Sequence, residues 1–115
     1  MLTLEKLKEM GISTEKGLAR CMNKEAFYFK MIIMGLSNEY FDTLETALNE
    51  NRLDDAFEMA HGLKGVIGNL ELDPIYTPLA EMTEMLRAKK PADYVTMYVP
   101  IKEMRDQLLL MNEQD

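Results

Sequence analysis

Apolar residues recur every three or four positions along most of this chain, and this spacing restricts it to packed helices. Between residues 24 and 50 the apolar stripe consists of Phe29, Ile33, Leu36, Tyr40, Leu44 and Ala47. Such spacing places side chains on one face of an α-helix. No segment alternates with the period of two that is typical of a strand. The pattern therefore predicts an all-α fold.

The first half of the chain predicts two long helices preceded by two short ones. One long helix is expected over residues 24–50 and the next from about Leu53, with a turn at Asn51 between them. The second apolar stripe consists of Ala56, Ala60, Leu63, Ile67 and Leu70. Residues 2–10 and 15–22 predict short helices, separated by Gly11 and capped by Ser13 or Thr14, that lie across one end of the bundle.

The second half predicts two more long helices and completes an up-down four-helix bundle. Pro74 and Pro78 each suit a first helical turn, and we favour a turn over 73–77 followed by regular helix to about Lys89. The stripe of this third helix is Leu79, Met82 and Leu86. Pro100 should kink or split the last helix, because proline lacks an N–H and collides with the preceding turn.

Composition narrows the class of protein further. The 115 residues suit one domain spanning 1–115, with 47% hydrophobic and 29% charged residues. The net charge of −7 disfavours nucleic acid as a partner, and the longest apolar run is too short to cross a bilayer. A single cysteine, Cys21, and no leader-like segment predict a cytoplasmic protein. With one cysteine and one histidine, no metal site is expected.

The chain's one histidine, His61, is predicted to point away from the core. On a helical wheel it lies about 130° from the mean direction of the second apolar stripe. Gly65 and Gly68 lie on its side of the helix, one and two turns along, whereas Gly62 is nearly at right angles to it. Lys64 is close enough to reach the same point in space.

The two glycines beside His61 are costly for a helix. Compared with alanine, the two glycines together lower the stability of the helix by about 2 kcal/mol, so stability does not explain their presence. A surface without side chains would let another protein bring a reactive group close to the imidazole. A neutral imidazole is a competent nucleophile, and phosphoryl transfer depends mainly on positioning and on cations around the oxygens. Lys64 would supply one such cation.

Residues 60–65, Ala-His-Gly-Leu-Lys-Gly, resemble the motif of the histidine-containing phosphotransfer (HPt) domain of multistep two-component signalling. The family pattern is Ala-His, any residue, an aliphatic residue, Lys and Gly. The segment KGLARCM, the aromatic residues near Tyr28, the segment 44–47 and the turn at Asn51 fall at similar positions before the histidine. One departure is Glu71, ten residues after His61, where the family usually has glycine; it concerns the end of the helix rather than the chemistry.

The resemblance implies a monomeric four-helix phosphocarrier without kinase activity of its own. His61 would accept a phosphoryl group from a receiver-domain phospho-aspartate and pass it to another receiver, while Lys64 balances the oxygen charges. The partners would be response-regulator receiver domains or a hybrid sensor kinase. Mg²⁺ would sit on the receiver, so this chain needs no cofactor. A polar residue on the following helix often orients the imidazole in this family, and Thr83 is the candidate. The predicted partner-binding residues are Gly65, Gly68, Phe57 and Glu58.

Other functions stay open at this point. The bundle could be a docking module that binds receiver or kinase domains without relaying phosphate, in which case His61→Gln should leave partner binding intact. It could also be a structural helical domain with an incidental surface histidine. The substrate domain of a chemotaxis-type kinase is disfavoured by the polar tail ending at Asp115.

Overall fold

The computed structural model describes residues 1–113, which form seven α-helices and no strand. These are α1 (Leu4–Glu9), α2 (Thr14–Arg20), α3 (Glu25–Leu36), α4 (Tyr40–Asn49), α5 (Leu53–Asn69), α6 (Asp73–Arg87) and α7 (Tyr94–Glu113). Helix α4 packs against α5 and α7, and α6 packs against the same two helices, so α4 to α7 close a four-helix ring. The predicted all-α bundle is confirmed. No helix of residues 1–113 has both the length and the apolar character required to span a bilayer.

The predicted apolar stripes form the core. On α5 the stripe residues Ala56, Ala60, Leu63 and Ile67 are fully buried, and so are Leu79 and Met82 of α6, which packs against α5. Burying a large apolar side chain contributes about 1.5–3 kcal/mol, so these faces account for much of the attraction between helices. Because α5 buries this face, its opposite face must lie on the surface.

The first long helix is interrupted, which the prediction of one helix over 24–50 missed. Helix α3 ends at Leu36 and α4 begins at Tyr40. The side-chain oxygen of Asn38 accepts a hydrogen bond from the Tyr40 backbone N–H at 2.8 Å. Asparagine competes in this way with the helical backbone, and the competition ends one helix and starts the next.

Helix α6 begins earlier than predicted, and of the two expectations for Pro100 the structure excludes a split of α7. Helix α6 begins at Asp73, not after a turn over 73–77, because Pro74 in the first turn costs no hydrogen bond. Pro78 lies inside the same helix. Helix α7 is not split at Pro100 but continues through it. Proline has no N–H to donate to the backbone carbonyl one turn earlier in the helix. Pro100 is exposed, so water can hydrogen-bond to that carbonyl instead.

Three bundle helices end on a residue other than glycine in the left-handed region. Asn51, Glu71 and Lys89 have φ values of 56°, 59° and 54°. After α5, the Glu71 N–H donates to the Gly68 carbonyl and the Leu72 N–H to the Ile67 carbonyl, which is the Schellman arrangement. The short turns that follow bring consecutive helices back as antiparallel neighbours.

The N-terminal helices lie against the end of the bundle where α5 joins α6. The Ser13 hydroxyl donates to Asp73 Oδ2 at 3.1 Å, instead of capping α2 as predicted, although Ser13 does occupy the N-cap position. Arg20 pairs with Glu71 at 3.0 Å. The buried Tyr28 hydroxyl donates to the Leu70 carbonyl at 2.9 Å. These contacts connect residues 13–28 to the junction between α5 and α6.

Candidate functional site around His61

His61 lies near the middle of α5 and is exposed, as the helical wheel predicts. The ring of Phe57, one turn earlier, stacks on the imidazole with centroids 5.7 Å apart and planes inclined by 18°. Within residues 1–113, neither imidazole nitrogen forms a hydrogen bond or ion pair with another side chain. The ring is therefore held on one face while its nitrogens are free to react.

Lys64 is placed beside His61 by an ion pair with the neighbouring helix. Its Nζ lies 3.7 Å from Glu84 Oε1 on α6, and its side chain is only 23% exposed. The other oxygen of Glu84 lies 3.3 Å from Nε of Arg87. The Arg87 guanidinium in turn lies over the Phe57 ring, 5.0 Å from its centroid. Two cations therefore lie on the His61 side of the α5–α6 interface.

Gly65 gives the surface beside His61 its openness. A β-carbon added at this position would meet no atom within 4 Å outside its own helix backbone. Gly65 itself is exposed. A reactive group on another protein can therefore approach Lys64 and His61 from this side without displacing any side chain.

Shallow clefts flank this part of α5 on both sides. The cleft towards α3 is mainly apolar and includes Met31, Met34 and Val66, with Met34 57% exposed. The cleft towards α6 contains charged side chains, among them Arg20, Lys64 and Glu71. The surface around His61 is thus bordered by an apolar cleft on one side of α5 and by a charged cleft on the other.

A family model described as Hpt domain matches residues 34–112. The chain belongs to the Hpt domain family. Hpt domains are phosphocarriers rather than kinases, and they interact with receiver domains and kinases in two-component systems. No curated protein and no solved structure matches the chain. Helices α1 and α2 and most of α3 precede the matched residues.

Two glycines of the Hpt motif region serve internal packing. A β-carbon at Gly68 would lie 3.0 Å from the Tyr76 ring, so the space predicted to be open there is occupied by α6. A β-carbon at Gly62 would lie 3.1 Å from the ring of Tyr40 on α4. The close packing of α5 against α4, and not access to the imidazole, therefore accounts for this glycine. Open clearance is therefore found at Gly65 and not at Gly68.

Thr83 is not brought to the imidazole. It is fully buried, and its hydroxyl donates to the Leu79 carbonyl at 2.7 Å within its own helix. The imidazole of His61 instead contacts the ring of Phe57. Glu58, the remaining predicted partner-binding residue, is exposed on α5.

Glu71 adopts the conformation that glycine would favour at the position where it departs from the family pattern. Its φ of 59° lies in the left-handed region, and the Arg20 ion pair holds its side chain, which is 14% exposed. The left-handed end of the helix is thus kept without glycine.

Sequence reasoning missed Glu84 and Arg87. Both lie on α6, one and four residues after Thr83, and their approach to α5 depends on how α6 is rotated. Glu84 and Arg87 are three residues apart, so the sequence shows them only as an ordinary ion pair along one helix. The sequence does not show that this pair lies near His61.

Proposed function

We propose that this Hpt protein is a phosphorelay intermediate that accepts a phosphoryl group on His61 from a receiver-domain phospho-aspartate and passes it to another receiver. The observation that supports this proposal most strongly is the arrangement of three neighbours on α5. An exposed imidazole with free nitrogens lies beside Lys64, and Gly65 leaves the approach to both open.

The transfer is a displacement at phosphorus. The lone pair of the unprotonated imidazole nitrogen forms the new P–N bond as the P–O bond to the aspartate breaks, and the carboxylate leaves with that electron pair. The other ring nitrogen keeps its proton. Transfer to the second receiver is the reverse reaction with a different aspartate. Lys64 balances the charge on the phosphoryl oxygens, and the metal ion belongs to the receiver.

The surroundings of His61 support docking by a folded domain rather than binding of a small molecule. The clefts on either side of α5 are shallow, and their apolar border includes the exposed Met34. Apolar surface with a polar border is typical of protein interfaces. Phe57, Glu58, Gly65 and Gly68 would lie within or beside the docked surface. We place the protein in the cytoplasm as a monomer, where the buried thiol of Cys21 stays reduced.

Transfer of labelled phosphate from a purified, phosphorylated receiver tests the proposal. The parent protein should acquire an acid-labile, base-stable label, and His61→Gln should acquire none. Thermal unfolding of the variant provides the folding control, and Glu103→Gln on α7, an exposed side chain away from this surface, controls for handling. Equal labelling of His61→Gln and the parent would refute the assignment.

Binding to the unphosphorylated receiver separates relay from docking alone. If the parent binds a receiver but neither it nor any variant acquires label, the protein is a docking module. Relay requires that His61→Gln still binds while losing all transfer.

A further inference from the structure

Glu84 occupies a position between two cations at the edge of the His61 surface. One carboxylate oxygen lies 3.7 Å from Lys64 Nζ and the other 3.3 Å from Arg87 Nε. The carboxylate is 59% exposed, so water competes for it and neither ion pair is strong. It is the shared partner of both cations.

The two cations held by Glu84 lie on either side of His61 along α5. Lys64 is three residues after His61, and Arg87 lies over Phe57, four residues before it. Phe57 in turn stacks on the imidazole. Although it lies on α6, the Glu84 carboxylate thus pairs both with the cation that follows His61 on α5 and with the cation that lies over the Phe57 ring.

A phosphoryl group on His61 would change the charge balance at this place. A phosphoryl group carries about −1.5 to −2 charges near neutral pH. It would attract the two flexible cations and repel the carboxylate. Weak, exposed ion pairs can be exchanged for contacts with the phosphoryl oxygens at little cost, because their contribution to stability is small.

We propose that Glu84 is a positioning residue that competes with the phosphoryl group on His61 for Lys64 and Arg87, with Arg87 as the second cation of the phosphorylated state. In the unphosphorylated protein Glu84 holds both cations on the α6 side. In the phosphorylated protein it limits how tightly they hold the phosphoryl group, which keeps the group transferable. This inference rests on the proposed function, because it requires a phosphoryl group on His61.

The test uses the full chain with Glu84→Gln, Arg87→Gln and the charge-preserving Glu84→Asp, and Glu103→Gln as the charge-matched control on α7. Each protein is equilibrated with one phosphorylated receiver, and the fraction of label on each partner is measured. Each is also loaded chemically with phosphoramidate, and the ³¹P resonance of the phosphohistidine is followed against pH.

Glu84→Gln should shift the equilibrium towards the phosphorylated Hpt protein by about two- to fivefold, the range that exposed ion pairs produce. It should also lower the pKa of the phosphoryl group, a signature that loss of a merely structural contact would not produce. Arg87→Gln should shift both measurements in the opposite direction, and Glu84→Asp should resemble the parent. Unfolding temperatures check that each variant is folded.

Two negative results are distinguishable. If the parent is phosphorylated on His61 but Glu84→Gln behaves like Glu103→Gln in both measurements, the role of Glu84 is refuted and the relay function stands. If the parent accepts no phosphoryl group from receiver or phosphoramidate, the proposed function fails and this inference fails with it.

Discussion

The Phe57 ring lies nearly parallel to the imidazole of His61, at 18° and with centroids 5.7 Å apart. The two residues are four positions apart on α5, the spacing at which helical side chains meet. Arg87 also lies over the Phe57 ring, 5.0 Å from its centroid, so Phe57 contacts both the imidazole and a guanidinium. The orientation of the imidazole is therefore linked to α6 through an aromatic ring.

Replacing Phe57 with leucine should slow phosphorylation of His61 by about two- to tenfold, because an aromatic pair of this kind contributes about 0.5–1.5 kcal/mol to holding the ring. The rate of labelling from a phosphorylated receiver measures the effect. Phe27→Leu on α3 is the matched control, since Phe27 is also partly exposed and does not stack on His61. Equal rates for the two variants would show that the stack does not assist the reaction.

Gly65→Ala should stabilise the protein by about 0.8–1 kcal/mol, because the added β-carbon meets nothing and alanine is the better helix former. The same variant should slow transfer from a receiver at least about tenfold by misplacing the docked partner, while chemical loading with phosphoramidate stays unchanged. Denaturant unfolding and labelling rates measure these effects.

Gly68→Ala is the comparison for Gly65→Ala: its gain in stability should be smaller, because its β-carbon meets Tyr76 at 3.0 Å. A receiver that loads Gly65→Ala at the parent rate would argue against close docking there.

Lys89→Gly should raise the free energy of unfolding by about 0.5–1 kcal/mol, because a left-handed residue with a side chain is strained and glycine is not. Glu71→Gly relieves similar strain but loses the ion pair with Arg20, so its gain should be smaller. Urea unfolding measures both. An equal gain at Glu71 and at Lys89 would mean that the Arg20 ion pair contributes nothing to the free energy of unfolding.

At alkaline pH, the free energy of unfolding of Tyr28→Phe should fall less steeply with rising pH than that of the parent. Burial raises the pKa of Tyr28 to about 12, with smaller contributions from Cys21, Glu71 and Asp73. In the unfolded chain a tyrosine ionises near pH 10, so between about pH 10 and 12 the unfolded state binds fewer protons and stability falls as pH rises. Below pH 10 this contribution is fully present.

Unfolding free energies of the parent and Tyr28→Phe, measured from pH 8 to 11.5, check this prediction. At neutral pH the variant loses about 1 kcal/mol with the hydrogen bond to Leu70. Its stability should then fall less steeply than that of the parent above pH 10. Burial also raises the pKa of Tyr98 above its usual range, so Tyr98→Phe should act in the same direction as Tyr28→Phe.

The sequence predicted those features that depend on one helix alone. Spacings of three and four residues identified the buried faces of α5 and α6, and the helical wheel placed His61 and Gly65 outside. The interruption at Asn38 was missed because an asparagine inside an apolar pattern stops a helix only if its side chain bonds the backbone. Pro100 does not split α7, since an exposed proline can remain within a long helix.

Contacts between helices were beyond the reach of the sequence. Tyr76 over Gly68 and Tyr40 against Gly62 depend on the rotation of α6 and α4. The shared pairing of Glu84 depends on the same rotation. Thr83 was chosen by its place on the following helix, but that place faces the core.

The Arg20–Glu71 ion pair joins a helix outside the family match to the end of the helix that carries His61. Arg20 and Tyr28 precede the residues that the family model matches, yet both bond to the last turn of the helix carrying His61. A chimaera that grafts residues 34–112 onto another protein would leave that turn with a left-handed glutamate and no cation to hold it. A graft that keeps these two contacts has to include α2 and α3 as well as the matched residues.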